Sequence, residues 1–137
     1  MKTLVLSVLL AVAAPPAATA PLALKGLDPI SLVEGKEVPG HAELHVQYGK
    51  FTYAFASEAH RKQFLADPER YSVQGEGRCL HMRQMEGDPS LFKVVDGKIY
   101  LAGNAGCLGA LQGDLSAYVR EFNRPRRKVA ILVFPGV

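Results

Sequence analysis

Residues 44–55 read Leu44-His45-Val46-Gln47-Tyr48-Gly49-Lys50-Phe51-Thr52-Tyr53-Ala54-Phe55. Leu44, Val46 and Tyr48 alternate with polar neighbours, and Phe51, Tyr53 and Phe55 alternate again after them, which is the period of two that a half-buried strand requires. Gly49-Lys50 between the runs fits a tight turn that begins with glycine. Farther along, Phe92 to Val95 and Lys98 to Leu101 flank Asp96-Gly97, a pair that favours a turn with positive backbone angles at both central positions. The chain therefore carries two hairpins.

Helical signals follow each hairpin. Ser57 is placed to cap a helix on which His60 and Phe64 lie four apart on one face, with Asp67-Pro68 closing it. Leu108, Leu111, Leu115, Tyr118 and Phe122 recur at spacings of three and four, which predicts a final helix from about Cys107 to Phe122, weakened in its first half by Gly109 and Gly113. The expected fold is α+β, a small antiparallel sheet built from two hairpins with helices packed on it. The sequence shows no internal repeat, and its length suits one small domain over residues 21–123.

The two ends read differently from the middle. Lys2, the apolar stretch Leu4 to Ala14 and the small residues Ala18-Thr19-Ala20 make residues 1–20 an export signal, with a mature chain expected to begin at Pro21 and to lie in a secreted or periplasmic compartment. The apolar stretch is shorter than the roughly 20 residues a membrane span needs, so no membrane span is expected after cleavage. Between Pro21 and Asn123 there are eleven Lys and Arg against thirteen Asp and Glu. The sequence pI near 9.0 is thus owed to Lys2 and to Arg124, Arg126, Arg127 and Lys128, and the globular part offers no basic face for nucleic acid.

Tyr48-Gly49, Thr52-Tyr53, Phe55-Ala56-Ser57, the run Phe64-Leu65-Ala66-Asp67-Pro68-Glu69-Arg70-Tyr71, Cys79, and Val94-Val95-Asp96-Gly97-Lys98-Ile99-Tyr100-Leu101 come in an order that resembles a YHS domain of the exported bacterial kind. The similarity runs from about Leu24 to Phe122. It implies a small α+β module of the sort found beside heavy-metal transport and resistance proteins, where cysteines are the suspected ligands. The positions that match those cysteines hold Ser31, Ala56 and His60 here, so that thiolate set is missing. His60, sharing a face with Phe64, is read as a core histidine with one hydrogen bond.

A different cluster offers itself as a metal site. Cys79, His81, Met82 and Met85 gather a thiol, an imidazole and two thioethers in one segment, with Cys107 as the natural extra ligand, a mix that suits copper or zinc. Helical geometry would pair Cys79 with Met82 and His81 with Met85, whereas an extended segment would put Cys79 and His81 on one face. A Cys79–Cys107 disulfide is the competing expectation in an exported chain, two unrelated buried thiols are a further one, and methionines that merely fill the core are another. No nucleophile elbow, phosphate-binding loop or metalloprotease histidine pair is present, and Asp88 and Asp96 beside Pro89 and Gly97 read as turn residues. The expected function is a non-catalytic module that binds a metal ion or a protein partner.

The C-terminal residues 124–137 form a basic linker followed by one apolar strand, Lys128-Val129-Ala130-Ile131-Leu132-Val133-Phe134. That run is similar to the first strand of DJ-1/PfpI-type domains, which would make this chain an accessory or regulatory domain cut from an α/β protein. The competing expectation is an edge strand of the small sheet.

Overall fold

The computed structural model describes residues 19–125. The expected export signal, but for its last two residues, and the apolar run Val129–Phe134 lie outside the described residues. The chain folds as a small α+β domain of helices α1 (Pro29–Val33), α2 (Glu58–Ala66), α3 (Pro68–Tyr71), α4 (Ala105–Ala110) and α5 (Leu115–Phe122) around two hairpins, β1 (His41–Tyr48) with β2 (Phe51–Phe55) and β3 (Asp88–Val95) with β4 (Lys98–Ala102). Each hairpin is its own two-stranded antiparallel sheet. The hairpin turns follow the sequence: Gly49 has φ 59°, and Asp96 and Gly97 have φ 51° and 71°. No described helix is long and apolar enough to cross a membrane.

The expected helix from Cys107 to Phe122 is two helices. Leu111 ends α4, Gly113 turns the chain at φ 73°, and the Asp114 carboxylate accepts the Ala117 N–H at 3.2 Å to start α5 afresh. A left-handed glycine followed by an aspartate cap outweighs the apolar spacing that ran across the break.

The expectation of no internal repeat is also overturned, because the second half of the domain retraces the first. His41↔Phe55, His45↔Ala54, Val46↔Tyr53, Gln47↔Thr52 and Tyr48↔Phe51 pair in the first hairpin, and each pair shifted by 47 residues is a pair of the second, from Asp88↔Ala102 to Val95↔Lys98, with the register slip at the same place. Before each hairpin the chain makes a short 3-10 turn, Leu24–Gly26 and then Gly75–Gly77, reached by parallel bridges Leu22↔Thr52 and Val73↔Ile99. Gly40 N–H donates to Gly26 O at 2.8 Å, and Gly87 N–H donates to Gly77 O at 2.8 Å. A Cβ on Gly40 would lie 2.5 Å from the Ala54 backbone, and one on Gly87 would lie 2.4 Å from the equivalent Leu101, so both units need glycine at this crossing. After each hairpin the caps correspond as well: Ser57 and Asn104 start α2 and α4, and Asp67 and Asp114 start α3 and α5.

The units differ in what joins the turn to the hairpin. The first inserts α1, capped by Asp28, whose carboxylate accepts the Ile30 N–H at 3.0 Å ahead of Pro29 at the first helical position. The second uses the short stretch Leu80 to Gln84, closed by Met85 N–H to Met82 O at 2.8 Å. Both units contribute to one core. Phe51, Tyr53, Phe55 and Phe64 of the first bury against Ile99 and Leu101 of the second, and a smaller cluster holds Cys79, Leu80, Tyr100, Cys107, Leu111 and Phe122. Each such side chain contributes roughly 1.5–3 kcal/mol on burial, and the shared contacts make the pair of units one domain.

Candidate functional site

Two positions per unit face each other across the frame. One is the second residue after the 3-10 turn, the other the third residue of the helix after the hairpin. In the second unit these are Cys79 and Cys107, and in the first they are Asp28 and His60.

Cys79 is held by backbone on both sides. Its N–H donates to Met85 O at 2.9 Å, Leu80 N–H donates to Leu101 O at 2.7 Å, and the residue bridges Leu101 in parallel. Cys107 is held by the Asn104 cap, whose side-chain oxygen accepts the Cys107 N–H at 2.8 Å. Both are free thiols, 0% and 6% exposed, and both belong to the same buried cluster. A backbone N–H also aims at one of the sulfurs: Met82 N–H donates to Cys79 Sγ at 3.4 Å. Burial, and then the neighbouring Cys79, pushes the Cys107 thiol above its ordinary value.

The rest of the expected ligand set divides. Met85 packs against Gly103, with its sulfur 3.9 Å from Asn104 Nδ2, so it lies beside the turn that presents Cys107. Met82 reaches Cys79 only through its backbone, and the residue is 48% exposed. His81 is exposed, with its ring 5.8 Å from the Tyr118 ring, on the shallow groove it shares with Met82. The segment is neither the helix nor the strand that the two pairing schemes assumed. Every Cys, His, Asp and Glu of the chain lies within residues 19–125, and no three of them come together as a metal-binding group. Donor chemistry at the buried pair is therefore two sulfurs.

Asp28 is the residue that sequence reasoning missed. Its side chain is 0% exposed and accepts from the Ile30 N–H, from Ser31 Oγ at 3.0 Å and from His60 Nδ1, while His60 keeps 29% of its side chain exposed. The histidine does make the hydrogen bond expected of it. The signal for its partner was present in Asp28-Pro29, an aspartate ahead of a proline at a helix start.

A concavity of about 910 Å³ lies away from both pairs, where Tyr48, Lys50 and Phe51 of the first hairpin meet Gln74, Glu76 and Gly77 of the second unit's turn. Lys50 and Glu86 pair across its edge at 2.5 Å, and this contact holds the Glu86 carboxyl below its ordinary value. Asp96 sits in the hairpin turn as expected, whereas Asp88, expected in a turn, is the first residue of β3 and pairs with Ala102. Asp88 accepts from Ser90 N–H and Oγ at 2.8 and 2.6 Å, and Asp96 accepts from Ser116 Oγ at 3.0 Å. No protein-family model, curated protein or solved structure matches the chain.

Proposed function

We propose that the chain is an exported, non-catalytic binding module of the YHS-like kind that holds a soft transition-metal ion on Cys79 and Cys107. The observation that carries this reading is the buried thiol pair: two free sulfurs from segments far apart in sequence, brought into one buried cluster, with the Met82 N–H donating to Cys79 Sγ. Thiols are soft donors, and thiolates select copper(I), zinc and similar ions over magnesium or calcium. Met85 supplies a thioether wall to the turn that carries Cys107, while His81 and Met82 sit on the surface groove and are left out of the site.

Mass spectrometry of the mature chain, native and after alkylation, tests the reading. The expected result is a chain beginning at Pro21, one bound soft ion, and thiols that alkylate only after the ion is removed. Cys79→Ser, folded by circular dichroism, loses the ion. A quantitative Cys79–Cys107 disulfide in the exported protein, with no ion bound before or after reduction, overturns it.

A further inference from the structure

The equivalence of the two units reaches the site itself. Asp28 N–H donates to Val38 O at 2.8 Å as Cys79 N–H donates to Met85 O at 2.9 Å, and the oxygens that accept sit at corresponding places ahead of each hairpin. His60 N–H donates to the Ser57 cap at 3.2 Å as Cys107 N–H donates to the Asn104 cap at 2.8 Å. Backbone on both sides of each pair is thus fixed by the same hydrogen bonds, and only the side chains differ. One unit places a carboxylate against an imidazole, the other a thiol against a thiol.

We infer that this pair of positions is the ligand site of the repeated unit, and that in the second unit it takes a low-coordinate copper(I) ion between the two sulfurs. Resting on the function proposed above, the inference names the ion class and locates a second, closed copy of the site. Two sulfurs are the whole donor set among the Cys, His, Asp and Glu residues, and a structural zinc site asks for four ligands in a tetrahedron. A soft monovalent ion is content with fewer. Binding converts two thiols to thiolates and releases two protons, with no change of oxidation state. The ion's single positive charge leaves one net negative charge, which the Met82 N–H at Cys79 Sγ faces. In the first unit Asp28 already accepts three hydrogen bonds, one from His60 itself, so that copy is closed by its own side chains.

The mature protein is titrated with copper(I) held by a competing chelator, and separately with zinc(II). Wild type binds one copper(I) at least 100-fold more tightly than zinc(II), and X-ray absorption of the copper(I) form reports two sulfur neighbours. Asp28→Cys/His60→Cys binds two copper(I) ions, and adding Cys79→Ser to it returns the count to one. Zinc(II) bound as tightly as copper(I), or three or more metal neighbours in the absorption spectrum, overturns the low-coordinate class while leaving a metal-binding module. A folded Asp28→Cys/His60→Cys protein that still binds one ion overturns the equivalence of the sites. Wild type that binds neither ion with its thiols reduced overturns the proposed function as well. Should the double variant not fold, the absorption measurement on wild type still decides the ion class.

Discussion

Under Tyr53 in the first unit lie Phe55 and Phe64, whereas the same positions under Tyr100 in the second unit hold Ala102 and Leu111. The first unit stacks rings: Phe64 meets Tyr48, Tyr53 and Phe55 at centroid distances of 5.9, 5.1 and 5.1 Å. The second recruits one ring from its own last helix, Phe122, which meets Tyr100 edge-on at 6.0 Å. One frame therefore accepts two cores of different chemistry. Hydrogen bonds of the turns, hairpins and caps set the frame, and packing sets how firmly each half is held.

Truncating the corresponding core residues separates frame from packing. Phe64→Ala removes a fully buried ring with three aromatic partners and should cost about 3–5 kcal/mol. Leu111→Ala, at the equivalent place with a smaller side chain and no ring partner, should cost about 2–3 kcal/mol. Denaturant midpoints of the two variants measure both against one wild type. Equal losses, or a larger loss at Leu111, would break the claim that the aromatic unit anchors the domain.

The same contrast explains what could be read in advance. Both hairpins, the Ser57 cap and the Asp96-Gly97 turn were legible because each is a local signal, a period of two or a residue that its turn demands. The repeat was not, because few of its matched positions share a residue. Tyr53 and Tyr100, Asp67 and Asp114, and Gly40 and Gly87 agree, while Phe51 answers to Lys98 and Leu24 to Gly75. Equivalence lies in backbone hydrogen bonds, which many side chains permit. The site divided in the same way. Cys79 and Cys107 were legible as soft donors, but their pairing is a tertiary fact. His81 and Met82, close to Cys79 in sequence, turn outward because the Met82 to Met85 turn carries their side chains to the surface.

Alkaline pH probes the two equivalent tyrosines. Burial drives the Tyr53 hydroxyl from its ordinary value of 10.0 up to about 12, partly offset by the Val73 N–H that donates to it, and it raises Tyr100 in the same direction. A folded-state value above the unfolded one means that the native protein keeps a proton the unfolded chain releases. The stabilisation is therefore complete below pH 10 and is lost as pH climbs toward 12. For Tyr53 the rise from 10.0 to about 12 corresponds to about 2–3 kcal/mol. Stability measured from pH 9 to 12 should fall steeply in wild type and less in Tyr53→Phe, with Tyr100→Phe closer to wild type. Identical profiles for the two variants would remove the distinction between the units.

The smallest effect tests the frame where the units agree. Lys25 and Glu76 are the exposed middle residues of the two 3-10 turns, at φ 55° and 57°, a left-handed conformation in which a side chain is crowded by roughly 1–2 kcal/mol. Glycine relieves that crowding but gives up roughly 0.5–1 kcal/mol through the greater freedom of the unfolded chain. Lys25→Gly and Glu76→Gly should therefore each stabilise by about 0.5 kcal/mol, and by similar amounts. Their neighbours are not free to do the same. Leu24, also at φ 58°, is fully buried, and a Cβ at its counterpart Gly75 would sit 2.1 Å from the Phe122 ring. The middle residue is thus the one place in the turn where both units can be changed alike without touching the core. Thermal midpoints that rise in one variant and fall in the other would mean that the two turns are held by different contacts despite their shared backbone.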